Sequence, residues 1–199
     1  MKKYTQKEFD AFEVDEHGYK ICPTGDYTQI KSFGECCSFG EWCSFGEWCS
    51  FGECCSFGAY CSFGARCSFG ECCRFGARCS FGEWCSFGEC CSFGECCSFG
   101  ECCSFGECCS FGECCSFGED CSCEFGKFTR MLTIGGFGSQ KRTTYFFLLE
   151  NKSLAVRCGC FAGDYDAWCE KVKTTHKESK YARAYLAAGE AVKIMCEEE

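Results

Sequence analysis

A triangular parallel β-solenoid with 18 residues per coil, capped by an N-terminal helix and followed by a small α+β domain, is the mainly β fold that the 199-residue sequence predicts. Three observations predict it. A six-residue unit, F-G-E-x-C-S, recurs fifteen times without a gap from Phe33 to Ser122. Within it every sixth residue from Phe33 to Phe117 is Phe, and every sixth from Cys37 to Cys121 is Cys. A second period of 18 residues lies on the first. A period this short marks a solenoid, because one unit cannot bury its own apolar residue and must stack on the next.

The 18-residue period is visible at the free letter of the hexad. One column reads Cys36, Cys54, Cys72, Cys90, Cys108, and the others read Trp42, Tyr60, Arg78, Cys96, Cys114 and Trp48, Arg66, Trp84, Cys102, Asp120. The acidic letter behaves alike. Glu35, Glu53, Glu71, Glu89 and Glu107 run unbroken, whereas Ala59, Ala65 and Ala77 interrupt the other columns. Three sides per coil follow. The unit resembles that of hexapeptide-repeat, left-handed β-helix proteins: a large apolar residue, then Gly or an acidic residue, two free positions, a small residue and one more free position. Phe stands here where that family mostly has Leu, Ile or Val. The resemblance implies a left-handed helix with three hexads per coil.

Residues 1–20 read as the N-terminal cap. Thr5 and Glu8 have capping-box spacing, and Phe9 and Phe12 follow on one side of a short helix. Residues 21–128 read as solenoid, with Ile21 and Tyr27 in Phe slots and Cys123 and, two residues out of phase, Phe125 at the far end. Residues 129–199 read as the α+β domain. Strands are expected at Met131 to Ile134, Thr143 to Leu149 and Leu154 to Phe161, with a Gly-rich turn at Gly135, Gly136 and Gly138 and a hairpin near Asn151 and Lys152. Asp164 caps a helix with the stripe Tyr165, Trp168, Cys169, Val172, and Ser179 caps a second with Tyr181, Tyr185, Ala188, Val192, Met195.

Composition bounds the class. Apolar residues make up 46% of the chain, which argues against disorder, and a single Pro suits a chain whose residues nearly all join ladders. The opening Met1 to Lys7 is followed by charge, so no signal peptide is expected, and no run of eighteen apolar residues suggests a membrane span. The expected compartment is the cytoplasm. There the cysteines are expected to be reduced, with Cys37 to Cys121 as small buried residues; the outward column Cys36, Cys54, Cys72, Cys90 and Cys108 could also bind soft metal ions, and repeat duplication accounts for it as well.

Several motifs invite chemistry and fail on spacing. Gly135 to Lys141 matches neither the Walker A motif nor the dinucleotide fingerprint. Cys158, Cys160, Cys169 and His176 could supply four zinc ligands, but no paired CxxC supports them, and a half-buried strand and a core-facing helix account for them. The hexapeptide resemblance implies acyltransferase chemistry with a groove-lining histidine; His17 and His176 both lie outside the array, so no catalytic residue, metal or cofactor is assigned.

Charge is more informative. Residues 33–122 carry a net charge of −10, residues 1–32 carry −1 and residues 123–199 carry +2. At the ~4.8 Å strand spacing of a sheet the array carries roughly one negative charge per 2.4 Å, and DNA carries one per ~1.7 Å. Outward Glu that keeps a Phe-filled rod soluble is the plainer account of this charge; read as DNA mimicry, it makes the expected partner a protein rather than nucleic acid, and no membrane partner is expected. Trp42, Trp48, Tyr60, Arg66, Arg78 and Trp84 are the candidate contact, with the Glu35, Glu53, Glu71, Glu89 and Glu107 row as the acidic face. The C-terminal domain is the expected seat of any self-association.

A second resemblance spans nearly the whole chain. Tyr4 to Asp10, Lys20 to Tyr27, the CSFGEC array, Val156 to Phe161 and Thr175-His176 resemble uncharacterised proteins of gut-bacterial phages and prophages. It implies expression in a bacterial host and carries no activity. The reading reached is a non-enzymatic binding protein that occupies a host protein, as a DNA-mimicking anti-defence inhibitor. A scaffold or virion-associated β-helix is the alternative.

Overall fold

The computed structural model describes residues 1–137 and 142–197. The chain divides into two compact units, Met1–Glu124 and Phe125–Glu199. The first is a parallel β-solenoid with 18-residue coils. Its strands are mostly a single Ser-Phe pair, each aligned in register with the pair 18 residues away, as Ser80 and Phe81 align with Ser62 and Phe63 before and Ser98 and Phe99 after. One side stacks six strands from Lys20–Cys22 to Ser110–Phe111, and a second stacks five from Ser44–Phe45 to Ser116–Phe117. The third side runs from Ser32–Phe33 to Ser122–Cys123.

Phe fills the interior. Phe75 stacks on Phe57 and Phe93, each at 4.9 Å between centroids and within 4° of parallel. It meets Phe69 and Phe81 edge to face at 5.0 Å, and Phe63 and Phe87 at 5.8 Å, all within 2° of perpendicular. The three rings of a coil thus lie in mutually perpendicular planes, and three parallel stacks run along the interior. Edge-to-face pairs contribute roughly 0.5–1.5 kcal/mol each beyond the area they bury.

Three backbone N–H groups per hexad tie each coil to its neighbours. Gly76 donates to Phe57 O and Arg74 to Cys55 O in the preceding coil, while Arg78 donates to Glu95 O in the following one. The core cysteines do more than fill space. Each Sγ from Cys55 to Cys121 donates to a Gly carbonyl 21 residues earlier, as Cys73 does to Gly52 at 3.4 Å. The cysteines stand as thiols. The neighbouring thiol, Cys37 for Cys55 and Cys109 for Cys91, and then burial push Cys55 up to about 11 and Cys91 up to about 12.

The Gly of each hexad answers a steric demand. A Cβ on Gly70 would lie 2.8 Å from Glu53 N and Gly52 C of the coil before it, both backbone atoms. The left-handed backbone falls elsewhere, at the free letter: all fifteen of these residues from Cys36 to Asp120 have φ between 52° and 61°. Each coil therefore turns its corner at a residue with a side chain, at a local cost of roughly 1–2 kcal/mol. The corner N–H bonds to the next coil offset that cost.

At the N-terminus the helix α1 (Gln6–Asp10) forms as expected, with the Thr5–Glu8 capping box closed in both directions. Phe9 and Tyr4 are buried and extend the ring stacks, Phe9 parallel to Phe39 at 6.5 Å and Tyr4 on Tyr27 at 5.0 Å. Tyr27 occupies the expected Phe slot and stacks on Phe45 at 5.4 Å. Ile21 does not. The strand Lys20–Cys22 pairs so that Cys22 lies beside Phe39, which places Ile21 beside Ser38 and leaves it 48% exposed. The first side is one residue short, and in a strand such a slip reverses every side chain. Phe9 supplies the ring that this slot lacks.

The second unit is an antiparallel meander of Gly126–Phe137, Arg142–Leu149, Leu154–Cys158 and Phe161–Asp164, followed by α2 (Tyr165–His176) and α3 (Lys180–Glu197). Two strand expectations are corrected. The first strand runs through Gly135 and Gly136 to Phe137, so these glycines extend it rather than turn it; Gly138 to Lys141 lie outside the described residues. The expected strand Leu154 to Phe161 is two, because the chain reverses at Gly159, with φ 62°, and Cys160. Phe146, Val156, Trp168, Val172, Ala182, Tyr185 and Val192 form its core. Asp164 caps α2 by accepting from Ala167 N, and the Ser179 hydroxyl accepts from Ala182 N at the start of α3.

Two predictions follow from the stack. Gly70→Ala should lower stability by about 1–3 kcal/mol, whereas Gly34→Ala, with nothing within 4 Å of its added Cβ, should leave it nearly unchanged. Urea melts of the two variants compare them directly, and equal midpoints would refute the steric account. The thiols give a pH dependence. Folded-state values of about 11 and 12 at Cys55 and Cys91 lie above the ordinary thiol value of 9.0, so the folded state binds more protons between these limits. Their contribution to stability is complete below the ordinary thiol range and is lost as pH rises through the folded values. The urea midpoint should fall from about pH 8 toward 11, and Cys91→Ala should shallow that slope.

Candidate functional site: the corner ladders

Side chains at the left-handed corners project outward and repeat at the coil spacing, so each corner column is a ladder. Two of these carry the six aromatic and basic residues singled out by the sequence. Trp42 stacks on Tyr60 at 4.2 Å with parallel rings, and the Arg78 guanidinium lies 5.7 Å from the Tyr60 centroid. On the next corner Arg66 lies between Trp48, at 4.8 Å, and Trp84, at 5.7 Å. The two ladders bound one side of the solenoid, whose outward residues are Ser44, Ser62 and Ser80. The six residues thus form two parallel edges rather than one cluster.

These ladders remain open to solvent. Trp48 is 61% exposed, Trp42 and Trp84 54% each, and Tyr60 39%. Ring faces within a ladder are covered by the residue above or below, so the sides of the ladder offer ring edges and guanidinium N–H groups. A ring edge carries the positive end of the quadrupole. Such a surface suits carbonyl and carboxylate acceptors on a partner. An exposed cation–π contact contributes only about 0.5–1 kcal/mol, which makes these residues poor candidates for a purely stabilising role.

The third corner holds the unbroken acidic row. Glu35, Glu53, Glu71, Glu89 and Glu107 are all exposed, and none of them makes an ion pair among the described residues. Beside them run Cys36, Cys54, Cys72, Cys90 and Cys108. Burial and neighbouring thiols raise the thiol pKa of Cys54 and Cys90, and Glu53 and Glu89 add to it, which disfavours the thiolate that a soft metal would need.

Charge is divided along the array. Residues 33–56 carry −4, residues 57–80 carry +2 and residues 81–122 carry −8. The positive belt arises because Ala59, Ala65 and Ala77 replace Glu where Arg66, Arg74 and Arg78 occur. Arg74 is the member that the ladder pattern does not single out. It stands in the Ser slot of a strand, and its signal in the sequence is that single break in the serine column.

The remaining chemical candidates are dispersed. Cys160 lies in the turn after Cys158 rather than beside it on one strand face, which removes the geometric premise of a four-ligand zinc site. Cys158 accepts from the buried Thr144 hydroxyl at 3.2 Å, and His176 stacks on Tyr185 at 5.4 Å. Among the described residues no group of three or more His, Cys, Asp or Glu side chains is placed to hold a metal ion. His17 is an exposed turn residue whose N–H donates to Asp15. No helix among the described residues is long and apolar enough to cross a membrane. No protein-family model, curated protein or solved structure matches the chain.

Proposed function

We propose that this chain is a non-enzymatic binding solenoid of phage or prophage origin that occupies a host protein, in the manner of a DNA-mimicking anti-defence inhibitor. The observation that carries the reading is the segregation of its surface. Exposed aromatic and arginine ladders run from Trp42 to Trp84, and dense acidity fills residues 81–122. With coils spaced like the 4.9 Å ring stack of Phe69 on Phe87, the eight net negative charges of residues 81–122 amount to about one per 1.4 Å, close to the ~1.7 Å of duplex DNA. The acidic stretch supplies long-range attraction for a basic protein surface, and the ladders supply short-range contact. The host protein and the bacterial cytoplasm as its setting belong to this proposal.

A partner recovered on the wild-type chain from a bacterial host should be weakened by changing Glu35, Glu53, Glu71, Glu89 and Glu107 together to Gln, most strongly at low salt. Equal retention of that partner at low salt would rule out charge mimicry. Loss of the partner with Trp48→Cys and Trp84→Cys, which install the residue used at other corners, would locate the contact on the ladders. Self-association through the C-terminal unit is a companion proposal, supported by the exposed Tyr181, Ile194 and Met195 of α3. Sedimentation velocity should show concentration-dependent dimers that Ile194→Glu abolishes; a monomer at every concentration would dismiss it.

A further inference from the structure

Every sixth residue from Ser32 to Ser122 is Ser, except Arg74. The backbone does not register the change. Arg74 aligns with Ser56 and Ser92, and its N–H donates to Cys55 O at 2.8 Å as its serine counterparts do to theirs. Only the side chain differs, and it lines a cleft of about 320 Å³.

The cleft lies between this side of the solenoid and the turn that precedes it. Ser38, Ser56, Cys72 and Arg74 line it from the array, and Asp15 and Tyr19 line it from the N-terminal segment. That segment is held in place. Asp15 N donates to Tyr19 O, the Asp15 carboxylate accepts from His17 N and Tyr19 N at 2.9 and 2.8 Å, and Lys20 N donates to Cys36 O. Both bonds fall on Asp15 Oδ1, so that oxygen is engaged by its own turn.

The Arg74 guanidinium makes no hydrogen bond or ion pair among the described residues. It belongs to the +2 belt of residues 57–80 in an otherwise acidic array. The Ser56 hydroxyl donates to Ser38 Oγ at 3.2 Å, which leaves the Ser38 proton available to an acceptor in the cleft. A planar fork of donors and a spare hydroxyl proton are the chemistry of oxyanion recognition, and Arg74 is the cation among the lining residues, with Asp15 across the cleft from it. We infer that the cleft binds a small oxyanion, a phosphate or a carboxylate, on Arg74. The site is separate from the protein contact proposed above, and either can fail without the other.

The test uses the full chain, titrated at constant ionic strength with inorganic phosphate and, separately, with acetate, and followed by calorimetry. Arg74→Ser restores the residue of the repeat and so retains the fold, which circular dichroism verifies. Arg78→Cys, which also restores a repeat residue, removes the same charge one corner away. Saturable binding of either anion by the wild type is expected, weakened by about tenfold or more in Arg74→Ser and by less than about twofold in Arg78→Cys. The stronger of the two titrations distinguishes a phosphate from a carboxylate site. Absence of saturation with both anions, undiminished binding by Arg74→Ser, or an equal loss in Arg78→Cys would each overturn the inference.

Discussion

Close approach of successive coils governs everything else in the solenoid. A Cβ at the glycine of nearly every coil would meet backbone of the coil before it at less than 3 Å, so the register between coils has almost no latitude. That register sets the 4.9 Å stacking of the phenylalanines, the reach of each thiol to a glycine carbonyl, and the alignment of the ladders on the corners. A single interaction geometry, repeated, thus serves as core, as hydrogen-bond network and as template for the surface. The arrangement is quasi-one-dimensional, with each coil supported only by its neighbours, so the ends carry special requirements. At the N-terminal end Tyr4 and Phe9 meet them by prolonging the ring stacks.

Because the core letters are invariant, variety is confined to positions that face solvent. The corner tolerates Cys, Trp, Tyr, Arg and Asp in one backbone conformation, and the acidic letter tolerates Glu or Ala. Surface chemistry is therefore free to change without disturbing the stack. What results is a graded surface: stacked aromatic and guanidinium groups toward the N-terminal end of the array, a belt of net positive charge, then dense acidity. The separation of folding letters from surface letters also means that restoring a repeat residue at Arg74, Arg78 or Trp48 alters chemistry while leaving the fold in place.

The buried cysteines fill a double role for which no other small side chain is equivalent. Alanine would lack the donor that each glycine carbonyl receives, and serine would bring a more strongly hydrated hydroxyl into the ring-lined interior. A thiol is small and apolar enough to pack and still donates weakly. The cost appears at high pH, where the unfolded chain releases protons that Cys55 and Cys91 retain in the folded state.

Much of the solenoid was legible in the sequence because a strict period constrains packing directly. The 18-residue superperiod, the inward Phe and Cys, the Thr5–Glu8 cap and the helices at Asp164 and Ser179 all follow from local spacing and appear as read. Where the period ends, local reading lost its reference. Ile21 faces out because pairing with Ser38, decided across the sheet, outweighs its place in the count, and the strand after Leu154 breaks at Gly159 because the next strand returns beside it. The candidate site divides in the same way. Which residues share a corner was determined by the sequence alone, since columns are fixed by multiples of 18. That the corners are left-handed, that Arg66 lies between two tryptophans, and that Arg74 faces a cleft closed by a turn some sixty residues earlier were decided only by tertiary structure, because side-chain stacking and the approach of distant segments have no local signal.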